Sequence, residues 1–351
     1  ATETKSACAD WLMRCNFDRH NQRLGRGGFG ITYLAREKRS NQHFAIKTLD
    51  PSKQDEPDFA HQQQKFLNEA LRLARCQHPN IVSVRELVLH EGLPGMVMDY
   101  IVGEDLKAYI SRRVLSEDEA LQIIRQVGDA LTCVHQSGLL HRDVKPDNIM
   151  LRQGSRTPVL IDFGLAREFD LGQIRSMTNS RTEGFAPIEQ YKKKGEPGYA
   201  EPGCYTDVYA LAATLYMMLT QQIPFPAIFR QDAKIALPPP QQFNSQISAK
   251  VNDAIVKGMA LLAQDRPKSV EEWLKLLLKS PSKTFSFEVI TVNTYGKEID
   301  RKRRQAEYYT ENLGSGIGLD MVSIPAGTFL MGSPDGEGDD DERPQHSVTV
   351  A

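Results

Sequence analysis

One eight-residue stretch narrows the fold most: His141-Arg142-Asp143-Val144-Lys145-Pro146-Asp147-Asn148. It places six polar or charged side chains between the apolar runs Gly138–Leu140 and Ile149–Leu151. A surface turn can be this polar, but it does not need apolar segments on both sides. Nineteen residues past Asp143 stands Asp162-Phe163-Gly164, directly after the strand-like Val159-Leu160-Ile161. An acid at a strand end followed by glycine suits a divalent cation, because Mg²⁺ prefers carboxylate oxygen and substrate phosphate.

Gly25-Arg26-Gly27-Gly28-Phe29-Gly30 fits the pattern G-x-G-x-x-G. Glycines there let backbone N–H groups close over a polyphosphate with no Cβ in the way, and the same string also serves a hairpin turn that needs positive φ. A dinucleotide-binding loop would open a helix, whereas Ile31-Thr32-Tyr33-Leu34 continues as a strand. Ala45-Ile46-Lys47 lies inside a further apolar strand. A lysine in that place either snorkels to the surface or, once buried, needs a partner. Glu69, on the next helical segment, can supply one.

The periodicity predicts strands over Arg23–Ala35 and Gln42–Leu49, then a helix over Phe66–Cys76. In that helix Phe66, Leu67, Ala70, Leu71, Leu73 and Ala74 share one broad face, with Glu69 beside it. In Glu117–Gln136 the apolar residues Leu121, Ile124, Val127, Leu131 and Val134 recur at helical spacing, and Ser116 with Glu119 forms a capping-box start. Val208–Leu219 is the longest apolar run and reads as a buried helix, too short to span a membrane. The coarse picture is an α+β chain with a small β-rich lobe before a larger helical one.

The ordered set GRGGFG, AIK, Glu69, HRDVKPDN, DFG and APIE resembles the eukaryotic-type (Hanks-type) protein kinase family. Lys145, two residues after Asp143, is similar to the Ser/Thr branch, and GGFGITYLA resembles bacterial members, cyanobacterial ones especially. The resemblance implies the bilobal kinase fold and an ATP site. Leu24, Gly25, Arg26, Gly27, Gly28, Phe29, Gly30, Ile31, Thr32 and Ala45 would enclose the nucleotide. Lys47 would bridge its α- and β-phosphates, held by Glu69. Met98 would back the adenine pocket, with Asp99-Tyr100-Ile101 as the hinge. Asn148 and Asp162 would carry Mg²⁺ or Mn²⁺. Asp143 would orient the substrate hydroxyl and accept its proton, and Lys145 would neutralise the γ-phosphate. Phosphoryl transfer has a loose transition state, so positioning and charge neutralisation are most of the catalysis.

Two departures from the family pattern stand out. Thr32 occupies the position of the usual valine, and the APE motif reads Ala186-Pro187-Ile188-Glu189. Glu189 is expected to pair with Arg266, and Asp207 to anchor the catalytic loop from its helix. Arg142 beside Asp143 implies control by phosphorylation of the activation loop, with Ser176, Thr178 and Ser180 as candidates. Thr182 is expected to contact the catalytic loop. The Lys/Gly/Pro-rich stretch Lys192–Cys204 has no functional account.

Composition sets the remaining limits. The chain has 351 residues, about two domains' worth, and a formal net charge of −2, which gives no bulk electrostatic case for nucleic acid. Five scattered cysteines with no metal-ligand spacing favour reduced thiols and a cytoplasmic location. No signal peptide is visible. Residues 1–16 read as a leader, 17–279 as the kinase domain, 280–318 as a linker and 319–351 as a separate piece. That last piece resembles the opening of a formylglycine-generating-enzyme-like (sulfatase-modifying) domain. Its 33 residues are too few for a core, and no cysteine follows Cys204, so it is expected to be a truncated domain without oxidase chemistry. Residues 280–351 are expected to be poorly ordered. The partners implied are proteins bearing Ser or Thr, with no nucleic acid and no membrane span; oligomeric state is not legible. A scaffold that keeps the fold without transfer is the alternative, although Lys47, Asp143, Asn148 and Asp162 are all present.

Overall fold

The computed structural model describes residues 15–16, 23–26, 30–90, 92–163, 184–192, 194–196, 199–277, 283–292, 297–314, 317–322, 327–331 and 346–350. The chain divides into two compact units, Ala1–Leu277 and Leu278–Ala351.

The first unit begins with an antiparallel sheet. Its strands are β1 (Cys15–Asn16), β2 (Arg23–Arg26), β3 (Gly30–Glu37), β4 (His43–Leu49), β5 (Val84–His90) and β6 (Leu93–Asp99), in the order β1-β3-β4-β6-β5 with β2 paired to β3. Burial alternates along β3 and β4, as a sheet buried on two unlike faces requires. Ala35, Phe44, Ile46, Val88 and Val97 form a small core on one face. Gly30 starts β3 where it presses on the neighbouring strand: a Cβ there would stand 2.8 Å from the Thr48 carbonyl oxygen.

Helix α1 runs Phe59–Leu73, seven residues earlier than the predicted start, and turns Phe59, Phe66, Ala70 and Leu73 inward. The polar His61–Lys65 segment hid that first half, because only Phe59 and Ala60 announce its apolar stripe. Its end falls before Pro79, which a helix could not have carried far.

A second sheet joins β7 (Gly103–Asp105), β8 (Ile149–Arg152) and β9 (Pro158–Leu160). The helices of the larger half are α2 (Leu106–Ser111), α3 (Glu117–Gln136), α4 (Cys204–Thr220), α5 (Ala227–Asp232), α6 (Ala249–Gly258) and α7 (Val270–Leu277). Helix α3 occupies the predicted span, and its capping box is made: the Glu119 N–H donates to Ser116 Oγ at 3.2 Å, and the Ser116 N–H donates to Glu119 Oε2 at 3.1 Å. Helix α4 is apolar on nearly every side because α3, α6 and α7 surround it. The close approach depends on Gly258, where a Cβ would meet Trp273 and Ala212 at 2.6 and 2.7 Å. Trp273 is fully buried, and its indole N–H donates to the Ala254 carbonyl at 2.8 Å.

The second unit is made of strands. β10 (Lys283–Val292), β11 (Glu298–Gly314) and β12 (Ile317–Val322) form an antiparallel meander, and β13 (Gly327–Met331) pairs with β14 (His346–Val350). The stretch read as a linker and expected to be poorly ordered therefore carries a sheet. Its sequence Thr284-Phe285-Ser286-Phe287-Glu288-Val289-Ile290-Thr291-Val292 is rich in the β-branched and aromatic residues that favour extended backbone. Phe285 and Phe287 lie 5.5 Å apart between ring centroids and remain well exposed.

Candidate active site

A cavity of about 320 Å³ opens where the two halves of the first unit meet. Leu24, Gly25, Thr32, Ala45, Met98, Asp99, Ile101, Asn148 and Asp162 line it, all of them predicted site residues. Strand alternation decides which side chains arrive. In β4, Ala45 faces the cavity, Lys47 lies on the same face, and Phe44 and Ile46 are buried on the other. In β3, Thr32 lines the cavity, while the predicted Ile31 is buried on the opposite face. Arg26 is drawn off to the turn after β4, where its guanidinium donates to Asp50 Oδ2 at 2.8 Å and to Ser52 Oγ at 3.2 Å. Burial would raise the Asp50 pKa, but the Ser52 hydroxyl and N–H and then Arg26 hold it below the ordinary carboxylate value. Gly27, Gly28, Phe29, Ser176, Thr178, Ser180 and Thr182 lie outside the described residues.

Lys47 Nζ reaches Asp162 Oδ1 at 2.5 Å and the Phe163 carbonyl at 2.6 Å, so one ammonium ties β4 to the segment after β9. Glu69 is half-buried on α1. Met98 sits on β6 opposite Ala45, at the closed side of the cavity. Asp99 turns its carboxylate away to Arg85, which holds both oxygens at 2.6 and 2.7 Å.

The predicted polar stretch forms a loop between α3 and β8, braced from beneath. Asp207 on α4 is fully buried and accepts the His141 N–H at 2.8 Å, the Arg142 N–H at 2.7 Å and a bond with His135 Nε2 at 2.8 Å. Burial alone would raise its pKa; the bond and electrostatic pull of His135, with the His141 ring and N–H, outweigh burial and leave it below the ordinary value. Arg142 is held at φ +62° and Asp162 at φ +55°. Left-handed backbone costs a non-glycine residue roughly 1–2 kcal/mol. It persists where neighbours over-determine it. The Arg142 N–H is fixed by Asp207, and its carbonyl accepts from Gln190 Nε2 at 3.0 Å.

Asp143 is nearly buried, and its carboxylate is shared. Lys145 Nζ lies 3.1 and 3.0 Å from its two oxygens, and Asn148 Nδ2 donates to Oδ2 at 2.8 Å and to the Asp143 carbonyl at 2.7 Å. The Ile161 N–H donates to the Asn148 carbonyl at 2.9 Å, which links the two predicted metal ligands through one step of backbone. With its amide nitrogen spent on Asp143, Asn148 keeps its side-chain oxygen for another use.

The predicted brace is formed as well. Arg266 and Glu189 are fully buried and joined by two parallel bonds of 2.7 and 2.8 Å. Sequence reading did not single out Val82, Asp105, Asp147, Met150 or Ile161, all of which line the cavity. Asp105 could have been found: its Oδ1 caps α2 by accepting the Ala108 N–H at 2.7 Å, and an Asp before a helical run is a visible start signal. Met150 and Ile161 lie on short strands whose facing a sequence alone cannot assign.

A β-rich half and a helical half meeting at such a cleft, with Lys47, Asp143, Asn148 and Asp162 converging there, define the architecture of a phosphoryl-transfer kinase. The protein kinase domain family profile matches residues 19–283, and the chain belongs to that family. It is 30% identical over 278 residues to a probable serine/threonine-protein kinase of Clostridium perfringens, covering 76% of this chain and 39% of that one. It is 31% identical over 273 residues to the serine/threonine-protein kinase Pkn1 of Myxococcus xanthus, covering 74% and 37%. The chain thus spans well under half the length of these relatives. Among solved structures it is similar to the apo form of PpkA-294, at TM-score 0.60 and 29% identity over 73% of this chain and 94% of that one. The kinase domain of Mycobacterium tuberculosis PknI matches at TM-score 0.55 and 27% identity, over 72% and 91%.

Proposed function

We propose that the chain is a serine/threonine protein kinase that moves the γ-phosphoryl group of ATP to Ser and Thr hydroxyls of proteins, itself included. One observation carries the reading: the Lys47–Asp162 pair and the Asp143–Lys145–Asn148 cluster meet at one cavity of about 320 Å³, which Asp162 and Asn148 line. In it Leu24, Gly25, Thr32, Ala45 and Met98 would pack on adenine, with the Asp99–Ile101 backbone at its polar edge. The backbone of Gly25–Gly30 would cover the phosphates, and Arg26 and Ile31 would contribute main chain only. Lys47 would exchange Asp162 for the α- and β-phosphates, with Glu69 on α1 to hold it. Asp143 would orient the attacking hydroxyl and take its proton. Lys145, already on Asp143, would face the γ-phosphate.

A divalent cation fits these residues. Asp162 offers a carboxylate and Asn148 an amide oxygen on the same cavity, a hard-oxygen pair of the kind Mg²⁺ accepts when phosphates complete its shell. Among the described residues no group of three or more His, Cys, Asp or Glu is placed to hold a metal, so a cation here would depend on phosphate oxygens as well. When bound, Mg²⁺ would neutralise charge developing between the β- and γ-phosphates.

Among the described residues the half-buried Arg142 has no partner for its solvent-shielded Nε, which favours a phosphorylated activation-loop residue in that role. Protein substrates and a cytoplasmic location go with this reading; among the described residues no helix is long and apolar enough to cross a membrane. We also propose that 319–351 opens a formylglycine-generating-enzyme-like domain and that the kinase is of cyanobacterial type, on the sequence resemblance alone. The test is transfer of labelled phosphate from ATP and Mg²⁺ by the purified chain, with the modified residues mapped. Incorporation into Ser and Thr that disappears in Asp162→Asn supports the reading. No incorporation into itself or into basic protein substrates would leave a scaffold.

A further inference from the structure

The face built by β7, α2, α3 and the β8–β9 turn carries two neighbouring hollows, of about 440 and 260 Å³. Neither shares Lys47, Asp143, Asn148 or Asp162, so this is not the nucleotide cleft. Tyr109, Leu151 and Arg156 line both, so the two hollows make one groove divided by a bar. Arg156 forms that bar: its Nη1 donates to the Tyr109 hydroxyl at 3.1 Å, and its guanidinium lies 5.5 Å from the ring centroid. Arg113 stands 5.2 Å from the same ring. The β8–β9 turn is set by Gly154 at φ +84° and Arg156 at φ +56°, the left-handed backbone that short hairpin connections use.

The charges on the rim are not balanced. Arg112 pairs with Glu104 and Arg113 with Glu119, but among the described residues Arg152 and Arg156 have no carboxylate partner. The lining is mixed: Ile123 and the nearly buried Leu151 lie among polar side chains, and Val102 stands 55% exposed at one end. Two guanidinium groups without a carboxylate partner, above a mixed lining with an exposed valine at one end, suit a chain that carries both acidic and aliphatic side chains.

We propose that this groove docks an acidic, aliphatic, extended segment of a protein substrate, away from the transfer site. The inference rests on the kinase reading and supplies it with a means of substrate selection. A polynucleotide fits worse: two guanidinium groups already lie near the Tyr109 ring, and Glu104 and Glu119 stand on the rim. An extended peptide uses both hollows, its carboxylates meeting Arg152 and Arg156 and its aliphatic groups meeting Val102 and Ile123.

The probe is a fluorescein-labelled, end-capped nonapeptide of alternating Glu and Leu, titrated against the full chain by anisotropy. Saturable binding is expected, retained in Arg152→Lys/Arg156→Lys and weakened at least tenfold in Arg152→Glu/Arg156→Glu. Should the double reversal unfold, Arg152→Ala is expected to weaken binding about threefold, as the loss of one exposed charge contact does. Fusing the nonapeptide to a Ser-bearing substrate should lower KM with kcat unchanged, and only in chains that keep both arginines. Absence of binding, equal binding of the Lys-for-Glu peptide, equal binding by the reversed variant, or stronger binding of an oligouridylate at the same arginines would each overturn the proposal. Anisotropy does not depend on transfer. A chain that binds the peptide but never phosphorylates would sink the kinase reading while the groove survives.

Discussion

Arg266 and Glu189 meet with both side chains at 0% exposure, and every donor of the guanidinium is used. Two N–H groups go to Glu189, and the others to the carbonyls of Ala260, Tyr205 and Leu261 at 2.8–3.2 Å. Thr206 Oγ1 donates to the same carboxylate at 3.0 Å. Lys47 and Asp162 meet at 2.5 Å with Asp162 46% exposed, and Lys47 has one carbonyl besides. The first pair has nothing to gain from a new partner. The second can release either member to a ligand, since water and a ligand's charges can replace what each loses. A buried pair of this kind costs about as much to desolvate as it returns, so its removal by halves is what hurts. The open pair keeps Asp162 partly in water, so loss of Lys47 leaves no fully buried charge behind.

The largest expected effect tests the open pair. Lys47→Met and Asp162→Asn should each abolish measurable transfer while circular dichroism and melting stay near wild type. Near-normal turnover by Asp162→Asn at saturating Mg²⁺ would show that the metal is held elsewhere. Asp143→Asn is next. It keeps size and hydrogen-bonding reach but removes the accepting carboxylate, so kcat should fall about 10²–10⁴-fold with KM for ATP little changed. A loss confined to ATP affinity would move Asp143 from the hydroxyl to the nucleotide.

The closed pair should show the reverse pattern. Arg266→Ala leaves Glu189 buried without its charge partner, and we expect a loss of about 3–5 kcal/mol in urea unfolding. Glu189→Leu with Arg266→Met removes both charges together and should recover much of that loss. If the double variant is no better than the single, packing against Tyr209, whose ring centroid lies 5.1 Å from the guanidinium, matters more than charge.

Much of this was legible because chemistry forced short, fixed spacings. Asp143, Lys145 and Asn148 share one loop, so their meeting needs no long-range fold, and the Ser116–Glu119 box declares α3 outright. The Glu189–Arg266 brace was anticipated from the family resemblance, since 77 residues separate the partners. What stayed hidden depends on facing and context. Ile31 and Thr32 are equally plausible neighbours of a nucleotide until strand pairing puts them on opposite faces. Arg26 sits within the glycine motif, and only the proximity of Asp50 takes its side chain away. The carboxyl-terminal sheet stayed hidden because a stretch with little potential for a core does not declare its strands. Its strands form from local preference and pairing while Phe285, Phe287 and Ile290 stay exposed.

The smallest effect expected is a pH dependence that sets the buried loop against the open pair. His141 is fully buried, its ring 4.6 Å from Phe163. The Asp143 N–H donates to its Nδ1 at 3.3 Å, and its Nε2 lies 3.0 Å from the Ile161 carbonyl, so the ring is neutral with its proton on Nε2. Burial pushes its pKa below the ordinary value of 6.5, against the opposing pull of Asp207, Asp143 and Asp162. A depressed folded-state pKa means that the unfolded chain takes up this proton first. Stability is therefore full above pH 6.5 and declines as pH falls from there toward the folded value. Asp207, held below its ordinary 3.8, adds a separate loss only once pH falls beneath that value. Urea midpoints should thus be level between about pH 7 and 8 and slope downward on the acid side of 6.5. His141→Gln should start less stable but lack that slope, whereas Lys47→Met should keep it, because it leaves the His141 surroundings unchanged and Asp162 partly solvated. A slope that survives His141→Gln would assign the titration to another group and remove the loop's neutral histidine from the account.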